Sequence, residues 1–371
     1  MSALDALRAE AAPALALLTE GGHRAWVVGG AVRDALMGRP VGDVDLATDA
    51  PPDRVLALAE AAGVRALPTG LAHGTVTLLF HRPFEVTTLR RDVETDGRHA
   101  VVAFGTSLED DAARRDFTLN ALYVDPDGAV LDPVGGLPDL QAARVRFVGD
   151  PRQRVREDHL RSLRFFRFHA THGDPAGGVD ADALDAVARN VGGLDALSRE
   201  RVTGEVLRLL AAPDPAPALA AMRSTGALHR VLPGAAAEAV APLVHVEAAL
   251  GLPPDPVRRL AALSNGEGLR LSARDARRLA TLRDLPDLPP AALGYRLRDL
   301  APDALALRAA ALGQEPDPAD LAAARDGAGQ TFPVRGGDLP LAGPALGEAL
   351  RDLEARWVAS GFGLTRDDLL R

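Results

Sequence analysis

Residues 25–46 read AWVVGGAVRDALMGRPVGDVDL, and this stretch decides the fold of the first part of the chain. Its apolar run ends in the pair Gly29-Gly30, and a short run of helical character follows. This order predicts a strand, a tight glycine turn and a short helix. A glycine pair between a strand and a helix N-terminus is typical of sites where backbone N–H groups approach a phosphate. Arg33 would add a bidentate charged contact at such a site.

Two acids at the end of this stretch predict a metal site. Asp43 and Asp45 alternate with apolar residues, which predicts a half-buried strand with both carboxylates on one face. Oxygen ligands so placed suit a pair of hard divalent cations, and Mg²⁺ is the expected metal. Glu85, in the later strand-like run FEVTT, would complete a set of three carboxylates.

The composition is that of a folded protein without thiol or amine chemistry. The 371 residues are 47% hydrophobic and 25% charged, and the mean hydropathy is zero. The chain contains no Cys and no Lys, so disulfides, thiolate nucleophiles, cysteine-ligated metals and Schiff-base lysines are excluded. No apolar run approaches the ~20 residues that span a bilayer, and the N-terminus does not resemble a signal peptide. We therefore expect a cytoplasmic protein with no membrane partner.

The pattern along the chain predicts an α+β fold. Strand and helix signals alternate over the first ~125 residues, whereas amphipathic helical runs follow residues 149–151 to the end. The net charge is −9, yet residues 144–167 hold eight Arg against three acids. An acidic protein can carry such a basic stripe where a polyanion binds, although a solvated helix face is the simpler interpretation.

Several ordered motifs resemble one family. The pattern G-G-x-V-R-D, followed by D-x-D, resembles the signature of the polymerase-β nucleotidyltransferase superfamily. Within it, the likeness is to the class II tRNA nucleotidyltransferases (CCA-adding enzymes) and the bacterial poly(A) polymerases. The resemblance is strong over residues 25–210 and thin between about 215 and 330. Further segments that resemble family motifs are RRDFTLNA (114–121), DPVGG (132–136) with VGDP (148–151), EDHLR (157–161) with Arg164, SRER (198–201) with Glu205, GDL (337–339) and GPALG (343–347).

The resemblance implies an architecture and a reaction. A nucleotidyltransferase head with a small β-sheet would span residues 1–140, a helical neck for base recognition 141–212, and a helical body and tail for tRNA binding 213–371. The implied reaction adds C, A or both from CTP and ATP to the 3′ end of tRNA, with two-metal catalysis and release of pyrophosphate. The sequence indicates no protein partner. Poly(A) addition to RNA 3′ ends is the alternative activity.

The resemblance also implies roles for individual residues. Asp158 and Arg161 are three apart, so on a helix they would share a face. The resemblance implies that this pair selects CTP and then ATP through the base edge, although an intrahelical salt bridge would explain EDHLR if it stood alone. It further implies that Arg115, Asp116 and Asn120 hold the sugar and triphosphate. Arg154 and Arg164 would position the EDHLR motif and counter phosphate charge.

Other interpretations stay open at this point. A catalytically inactive RNA-binding protein could share the scaffold, and a small-molecule nucleotidyltransferase would share the glycine pair and the two acids but not EDHLR. His169 and His172 have a metal-like spacing without a convincing third ligand, so packing or exposure is the simpler explanation. The stretch from Arg90 to Thr106 is close to the full length of a loop that CC-adding enzymes shorten, which favours addition of the terminal A.

Overall fold

The computed structural model describes residues 2–96, 99–105 and 107–371, with the backbone alone described between 91 and 103. The chain divides into two compact units. The first unit comprises Met1–Leu209 with Pro217–Val231, and the second comprises Leu210–Ala216 with Leu232–Arg371. All the residues proposed above for catalysis and nucleotide binding therefore lie in the first unit.

The first unit begins with a mixed sheet flanked by short helices. In the described residues its seven strands follow the order β3-β4-β5-β2-β1-β8-β9, and β6 pairs with β7 as a separate ribbon. The elements are α1 (Ala3–Glu20), β1 (Ala25–Val28), α2 (Gly30–Leu36), β2 (Asp45–Thr48), α3 (Pro52–Ala61), β3 (Arg65–Gly70), β4 (Thr75–Leu79), β5 (Pro83–Thr88), β6 (Arg90–Asp96), β7 (His99–Phe104), α4 (Leu108–Ala113), β8 (Tyr123–Val124), β9 (Val130–Leu131) and α5 (Gly136–Gln141).

The pairing of β2 with β5 positions the acids. These two strands run parallel, with Asp45 opposite Glu85, whereas β1 pairs antiparallel with β2 and with β8. Side chains alternate across the sheet, so one face of β4 and β5 is buried through Val76, Leu78 and Val86. The acids lie on the opposite face.

Helices complete the first unit after α5. A bundle of Phe rings packs on one of them, α7, where Phe165 and Phe166 are fully buried and Phe165 stacks on Phe147 with ring centroids 5.6 Å apart. The helices are α6 (Pro151–Glu157), α7 (Leu160–His172), α8 (Ala181–Arg189), α9 (Arg199–Leu210), α10 (Ala216–Ser224) and α11 (Ala227–Val231).

The second unit is helical and holds a buried ionic network. Glu247 accepts from both Arg258 and Arg259, at 2.8 and 2.9 Å, and each guanidinium is nearly inaccessible to solvent. Arg258 also donates to Asp303 at 2.7 Å. Its helices are α12 (Val240–Ala249), α13 (Pro256–Leu263), α14 (Ala273–Arg283), α15 (Pro290–Leu297), α16 (Ala301–Leu312), α17 (Pro318–Ala328), α18 (Gly343–Ala359) and α19 (Arg366–Leu370).

Two glycines let α15 and α17 pack backbone to backbone. A Cβ at Gly294 would lie 1.8 Å from the carbonyl oxygen of Ala324, and one at Gly327 would lie 1.9 Å from that of Ala291. Any larger residue would force these helices apart.

The α+β class is confirmed, and the differences from expectation are local. Strand β3 and the short β9 were not predicted, because their sequences lack clear alternation of apolar residues. The stretch Arg90–Thr106, compared above with a loop, supplies β6 and β7, and only its residues 101–104, within β7, carry a strand signal in the sequence; its residues 97, 98 and 106 lie outside the described part of the chain. No helix among the described residues is long and apolar enough to cross a membrane.

Candidate active site

The glycine turn is built as the sequence predicts. Gly29 follows β1 with φ 76° and ψ −130°, a conformation that L side chains rarely adopt. Its N–H donates to the Leu122 carbonyl at 3.1 Å. A Cβ at this position would also lie 3.3 Å from Nη1 of Arg115. Glycine is therefore required here both by the backbone and by the guanidinium beside it, and α2 starts directly at Gly30.

The structure brings two of the three acids into direct register. Asp45, the first residue of β2, is half-buried and lies opposite the exposed Glu85 of β5. Asp43 precedes the strand instead of lying within it, and its carboxylate is fully exposed, with one oxygen 3.8 Å from Nη2 of Arg82. The strand begins at Asp45, so the prediction that Asp43 and Asp45 share one strand is wrong, and the acids that the strands place opposite one another are Asp45 and Glu85.

Like charges face one another at this pair. Burial, followed by the negative charge of Glu85, raises the pKa of Asp45 above its usual value; Asp43 adds to this effect and Arg115 opposes it. Within the described residues, no three His, Asp or Glu side chains converge closely enough to enclose a metal ion. The donor set is nevertheless the carboxylate chemistry that hard divalent cations prefer, and a cation would relieve the repulsion. The residues present fit such a metal.

Arg115 lies beside the glycine turn, near enough to Asp45 to act on its charge, and neighbouring side chains hold it in place. Its Nε donates to the Tyr123 hydroxyl at 3.1 Å, and its Nη2 donates to Asp111 at 2.9 Å. Asp111 is 1% exposed and also accepts from Arg114 at 2.8 Å. Burial disfavours the charged Asp111, but Arg115 and Arg114 outweigh it and hold the pKa of this carboxyl below its usual value.

Asp111 is a site residue that the sequence reasoning missed. It precedes Arg115 by one helical turn in the run EDDAARRD, so the i,i+4 spacing of acid and base was an available signal. What the spacing alone did not show is the burial of the carboxylate and its third partner, the Tyr123 hydroxyl at 2.8 Å.

Arg33 is used inside the protein. Its guanidinium is 7% exposed and donates through Nε and Nη2 to Asp34, both at 2.9 Å. Nη1 donates to the side-chain oxygen of Asn120 at 2.6 Å. The expected role of Arg33 as a bidentate phosphate ligand is therefore not the one the geometry shows, because the donors that would form the fork are taken by Asp34 and Asn120.

Asp116 and Asn120 continue this internal network towards α7. Asp116 accepts from Asn120 at 3.0 Å and from Arg164 at 2.9 and 2.6 Å. Burial opposes the charged form of Asp116, but Arg164 and the hydrogen bond from Asn120 keep its pKa below the usual value. A chain of hydrogen bonds thus connects the glycine turn to α7. It runs from Arg33 through Asn120 and Asp116 to Arg164.

Helix α7 makes two further kinds of contact, an ion pair with α9 and contacts of arginines with the ring of Phe168. Glu205 of α9 is 2% exposed and accepts from Arg167 at 2.6 Å. The guanidinium carbons of Arg33, Arg164 and Arg167 lie 5.3, 5.3 and 4.4 Å from the ring centroid of Phe168. Sequence reasoning did not identify Phe168, because one Phe among several on a helix carries no pattern that distinguishes it.

The expectation of one helix through EDHLR is wrong. Helix α6 ends at Glu157 and α7 begins at Leu160, with Asp158 in an extended conformation of φ −151° and ψ 106°. The Asp158 carboxylate accepts the Leu160 N–H at 3.0 Å, which is the bond that starts α7, and its other oxygen accepts from Arg201 at 2.7 Å. Competition from this side chain for the backbone is what breaks the helix.

Arg161 occupies the first turn of α7, and its acidic partner is Glu157 and not Asp158. It donates to Glu157 at 2.7 Å, to the Arg154 carbonyl at 3.2 Å and to the Arg114 carbonyl at 3.3 Å. Arg154 forms an ion pair with the same Glu157 at 3.0 Å. Asp158 and Arg161 therefore flank one helix junction with separate partners, so a salt bridge between them does not account for the motif.

The two histidines lie in polar packing. Nε2 of His172 is 3.4 Å from Asp34, and its ring stacks on Phe168 with centroids 5.2 Å apart. Burial, opposed by Asp34, lowers the pKa of His172, and burial also lowers the pKa of His169. Both rings contribute to the core of α7 through packing.

Comparison with known proteins agrees with this geometry. Residues 25–146 match a family model for the poly A polymerase head domain, and residues 179–238 match one for the probable RNA- and SrmB-binding site of polymerase A. A solved CCA-adding enzyme from Bacillus stearothermophilus, in complex with CTP, is 31% identical, with a TM-score of 0.72 over 96% of this chain and 93% of that one. The chain belongs to the family of CCA-adding enzymes.

Curated members of the CCA-adding enzyme family match over shorter segments. The mitochondrial CCA tRNA nucleotidyltransferase 1 of Mus musculus is 44% identical over 52% of this chain and 45% of its own length. The CCA-adding enzyme of Geobacillus thermodenitrificans is 42% identical over 59% of this chain and 53% of its own length. The matches thus span about half the length of these relatives. Nucleotidyltransferases of this kind generally use divalent metal ions.

Proposed function

We propose that this protein adds C and A residues from CTP and ATP to the 3′ end of tRNA, releasing pyrophosphate. The observation that carries the proposal is the placement of Asp45 opposite Glu85 near the Gly29 turn, with the guanidinium of Arg115 beside that turn. The similarity to a CCA-adding enzyme solved with CTP supports the choice of nucleotide.

The acids supply the metal site of this reaction. Asp43 and Asp45 are the residues that would hold Mg²⁺, with Glu85 as the third carboxylate beside Asp45. When bound, Mg²⁺ makes the RNA 3′-hydroxyl a better nucleophile and offsets the charge that develops on the triphosphate. The chain itself aligns Asp45 with Glu85 through the pairing of β2 with β5, and Arg115 provides a positive charge on the side of the glycine turn.

The residues around α7 hold the nucleotide indirectly. Arg33, Asp116 and Asn120 form a rigid support under the glycine turn, and Arg164 fixes that support to the helix. The backbone N–H groups at Gly29 and Gly30 approach the phosphates in this proposal. Preorganisation of this kind limits the reorganisation that the site needs when the reaction occurs.

Asp158 and Arg161 select the base. A carboxylate accepts hydrogen bonds and a guanidinium donates them, so together the two side chains offer a base edge both kinds of group. Their present partners, Arg201 and Glu157, hold them at the junction of α6 and α7. Arg154 forms an ion pair with Glu157, the acid that also binds Arg161, and so helps to position Arg161.

Incubation of the purified protein with Mg²⁺ and three tRNA transcripts tests this proposal. The transcripts end at the discriminator base, at C and at CC, and each is supplied with CTP, ATP or both. The length of the Arg90–Thr106 stretch favours addition of the terminal A, and growth by CCA on the first transcript would identify a complete CCA-adding enzyme. Addition of A to the CC-ended transcript alone would identify an A-adding specialist.

Two results would change the assignment. Addition of CC without A would overturn the inference from the Arg90–Thr106 stretch. Long A tracts on arbitrary RNA would identify a poly(A) polymerase, and failure to extend any tRNA would refute the proposed function.

A further inference from the structure

Two pairs of threonine hydroxyls lie on the carboxylate face of the sheet. Oγ1 of Thr69 is 2.8 Å from Oγ1 of Thr77, joining β3 to β4, and Oγ1 of Thr75 is 3.0 Å from Oγ1 of Thr87, joining β4 to β5. Neither pair takes part in the proposed chemistry described above.

The strand register places the first pair beside the acids. Thr77 is directly opposite Glu85, and Glu85 is directly opposite Asp45, so the three side chains form one row across β4, β5 and β2. Residues opposite one another in an antiparallel pair have Cβ atoms about 4.5–5.5 Å apart. The second pair lies one row further along, where Thr75 faces Thr87 and Thr87 faces Ala47.

These side chains are not needed for the apolar core. The residues between them, Val76 and Val86, are buried on the opposite face. Thr69 is exposed and Thr75 and Thr87 are half-buried, while Thr77 is covered. On this face solvent or a ligand can therefore reach the hydroxyl-bearing residues Thr69, Thr75 and Thr87, whereas the buried Thr77 supports the hydroxyl of Thr69 through their hydrogen bond.

Each pair has hydrogen-bonding capacity left over. A hydroxyl has one donor hydrogen and two acceptor positions, and a pair uses only one of its two hydrogens internally. In the described part of the protein, the other hydrogen of the Thr69–Thr77 pair has no side-chain acceptor beyond its partner. A pair of this kind suits a ligand hydroxyl, which can itself both donate and accept.

We propose that the Thr69–Thr77 pair binds the 2′-hydroxyl of the terminal ribose of the RNA that is extended. This inference rests on the proposed function, which requires the attacking 3′-hydroxyl to lie at Asp45 and Glu85. The 2′-hydroxyl is on the neighbouring ribose carbon. The Thr69–Thr77 pair lies next to Glu85, on the side away from Asp45. When the 3′-hydroxyl lies at the two acids, the pair is therefore placed to contact the 2′-hydroxyl. The 2′-hydroxyl is also the group that distinguishes RNA from DNA.

The test compares two acceptors that differ in one atom. A CC-ended tRNA is prepared with an ordinary ribose or with a 2′-deoxyribose at its last nucleotide, and kcat/KM for addition of A is measured with each. The wild-type protein should prefer the ribose acceptor by roughly three- to tenfold, the factor that one neutral hydrogen bond provides. Thr77→Val and Thr69→Val keep the branched shape, and each should bring the ratio close to one by slowing the ribose acceptor alone.

Matched variants separate this role from a structural one. Thr77→Ser retains the hydroxyl and should retain the preference. Thr75→Val combined with Thr87→Val removes the second pair, one row away, and should also leave the preference unchanged. Loss of rate on both acceptors at an unchanged ratio, or a wild-type ratio of one, would overturn the proposal while leaving the proposed function intact. A wild-type protein inactive on both acceptors would refute the function and this inference with it.

Discussion

At the scale of single residues, Asp45 is held in an unfavourable state that a ligand would relieve. It is half-buried opposite Glu85, and its pKa is raised by burial and by that neighbour. A raised carboxyl pKa means that the ionised form costs folding free energy at neutral pH. Such a cost is expected at a site whose ligand is a cation, since folded proteins otherwise pair their buried charges.

Asp45→Asn should therefore abolish nucleotide incorporation without loss of stability. The amide keeps the shape and removes the repulsion, so the midpoint of thermal unfolding should equal or exceed that of the wild type. Incorporation on the CC-ended transcript and the unfolding midpoint are measured together. Asp53→Asn, at an exposed acid in the first turn of α3, is the matched control and should retain activity. Retained turnover in Asp45→Asn would refute the metal assignment.

Asp111 is the opposite case, a buried acid that stabilises the fold. Replacing it by Ala leaves Arg114 and Arg115 without their shared carboxylate and should lower the free energy of unfolding by about 3–5 kcal/mol. Because its folded-state pKa is lowered, this stabilisation is complete above the unfolded pKa of about 3.9 and is lost as the pH falls further.

Urea unfolding of the wild type and Asp111→Asn at pH 7, 5 and 3.5 measures this effect. The difference in free energy between the two proteins should be constant from pH 7 to 5 and should shrink at the lowest pH. A difference that grew on acidification would contradict the assigned direction of the pKa shift.

At the scale of the elements, one side chain at the junction of α6 and α7, Asp158, has a structural task as well as the proposed task of selecting the base. Asp158 begins α7 through the Leu160 N–H and offers its second oxygen to Arg201. The motif EDHLR identifies the residues, but helical spacing alone predicts one continuous helix. The extended conformation of Asp158 follows from a side-chain to backbone bond that periodicity does not encode.

Two substitutions at this junction should separate the tasks. Asp158→Ala removes the bond that starts α7 and should cost roughly 0.5–2 kcal/mol of stability, as well as the discrimination between nucleotides. Asp158→Asn can keep that bond, because Asn is an equally good helix cap, and should lose discrimination with little change in stability. The ratio of rates with CTP, ATP, UTP and GTP, together with the unfolding midpoint, gives both readouts. Equal stability losses in the two variants would contradict this division.

The strands show a similar limit of sequence reasoning. The run that became β1 is continuously apolar and those that became β4 and β5 alternate in hydrophobicity, so all three could be predicted, and the position of Glu85 beside Asp45 followed from treating its run as a strand. Strand β6 could not be predicted in this way, because RRDVETD has almost no apolar residue to mark a face. Arg33 was placed at the right turn, but its burial depends on Asn120, which is distant in sequence.

At the scale of the whole molecule, the chain has two compact units with separate cores. The sequence predicted a helical second half without indicating its internal contacts. Arg258 and Arg259 carry no sequence signal that distinguishes them from other arginines, yet both are buried around Glu247. Nothing in the local pattern revealed this, because the partners come from different helices.

The two units offer a test of their independence. Glu247→Ala leaves Arg258 and Arg259 without their shared carboxylate in the second unit and should lower the free energy of unfolding there by about 3–5 kcal/mol. Calorimetry should show one transition moving to lower temperature while another stays in place, since each unit has its own core. Asp111→Ala should move the other transition. A single transition that shifts equally in both variants would show that the units unfold together.

The parallel pairing of β2 with β5 also sets the order in which the protein can acquire its catalytic centre. Asp45 and Glu85 meet only after the intervening α3, β3 and β4 have folded back between them, and the Gly29 turn is fixed only when Leu122 arrives beside it. Contacts between distant parts of a chain form slowly. A chain released from the ribosome only as far as β5 would therefore contain both Asp45 and Glu85 but not Leu122, so the glycine turn beside the proposed metal site would not yet be fixed.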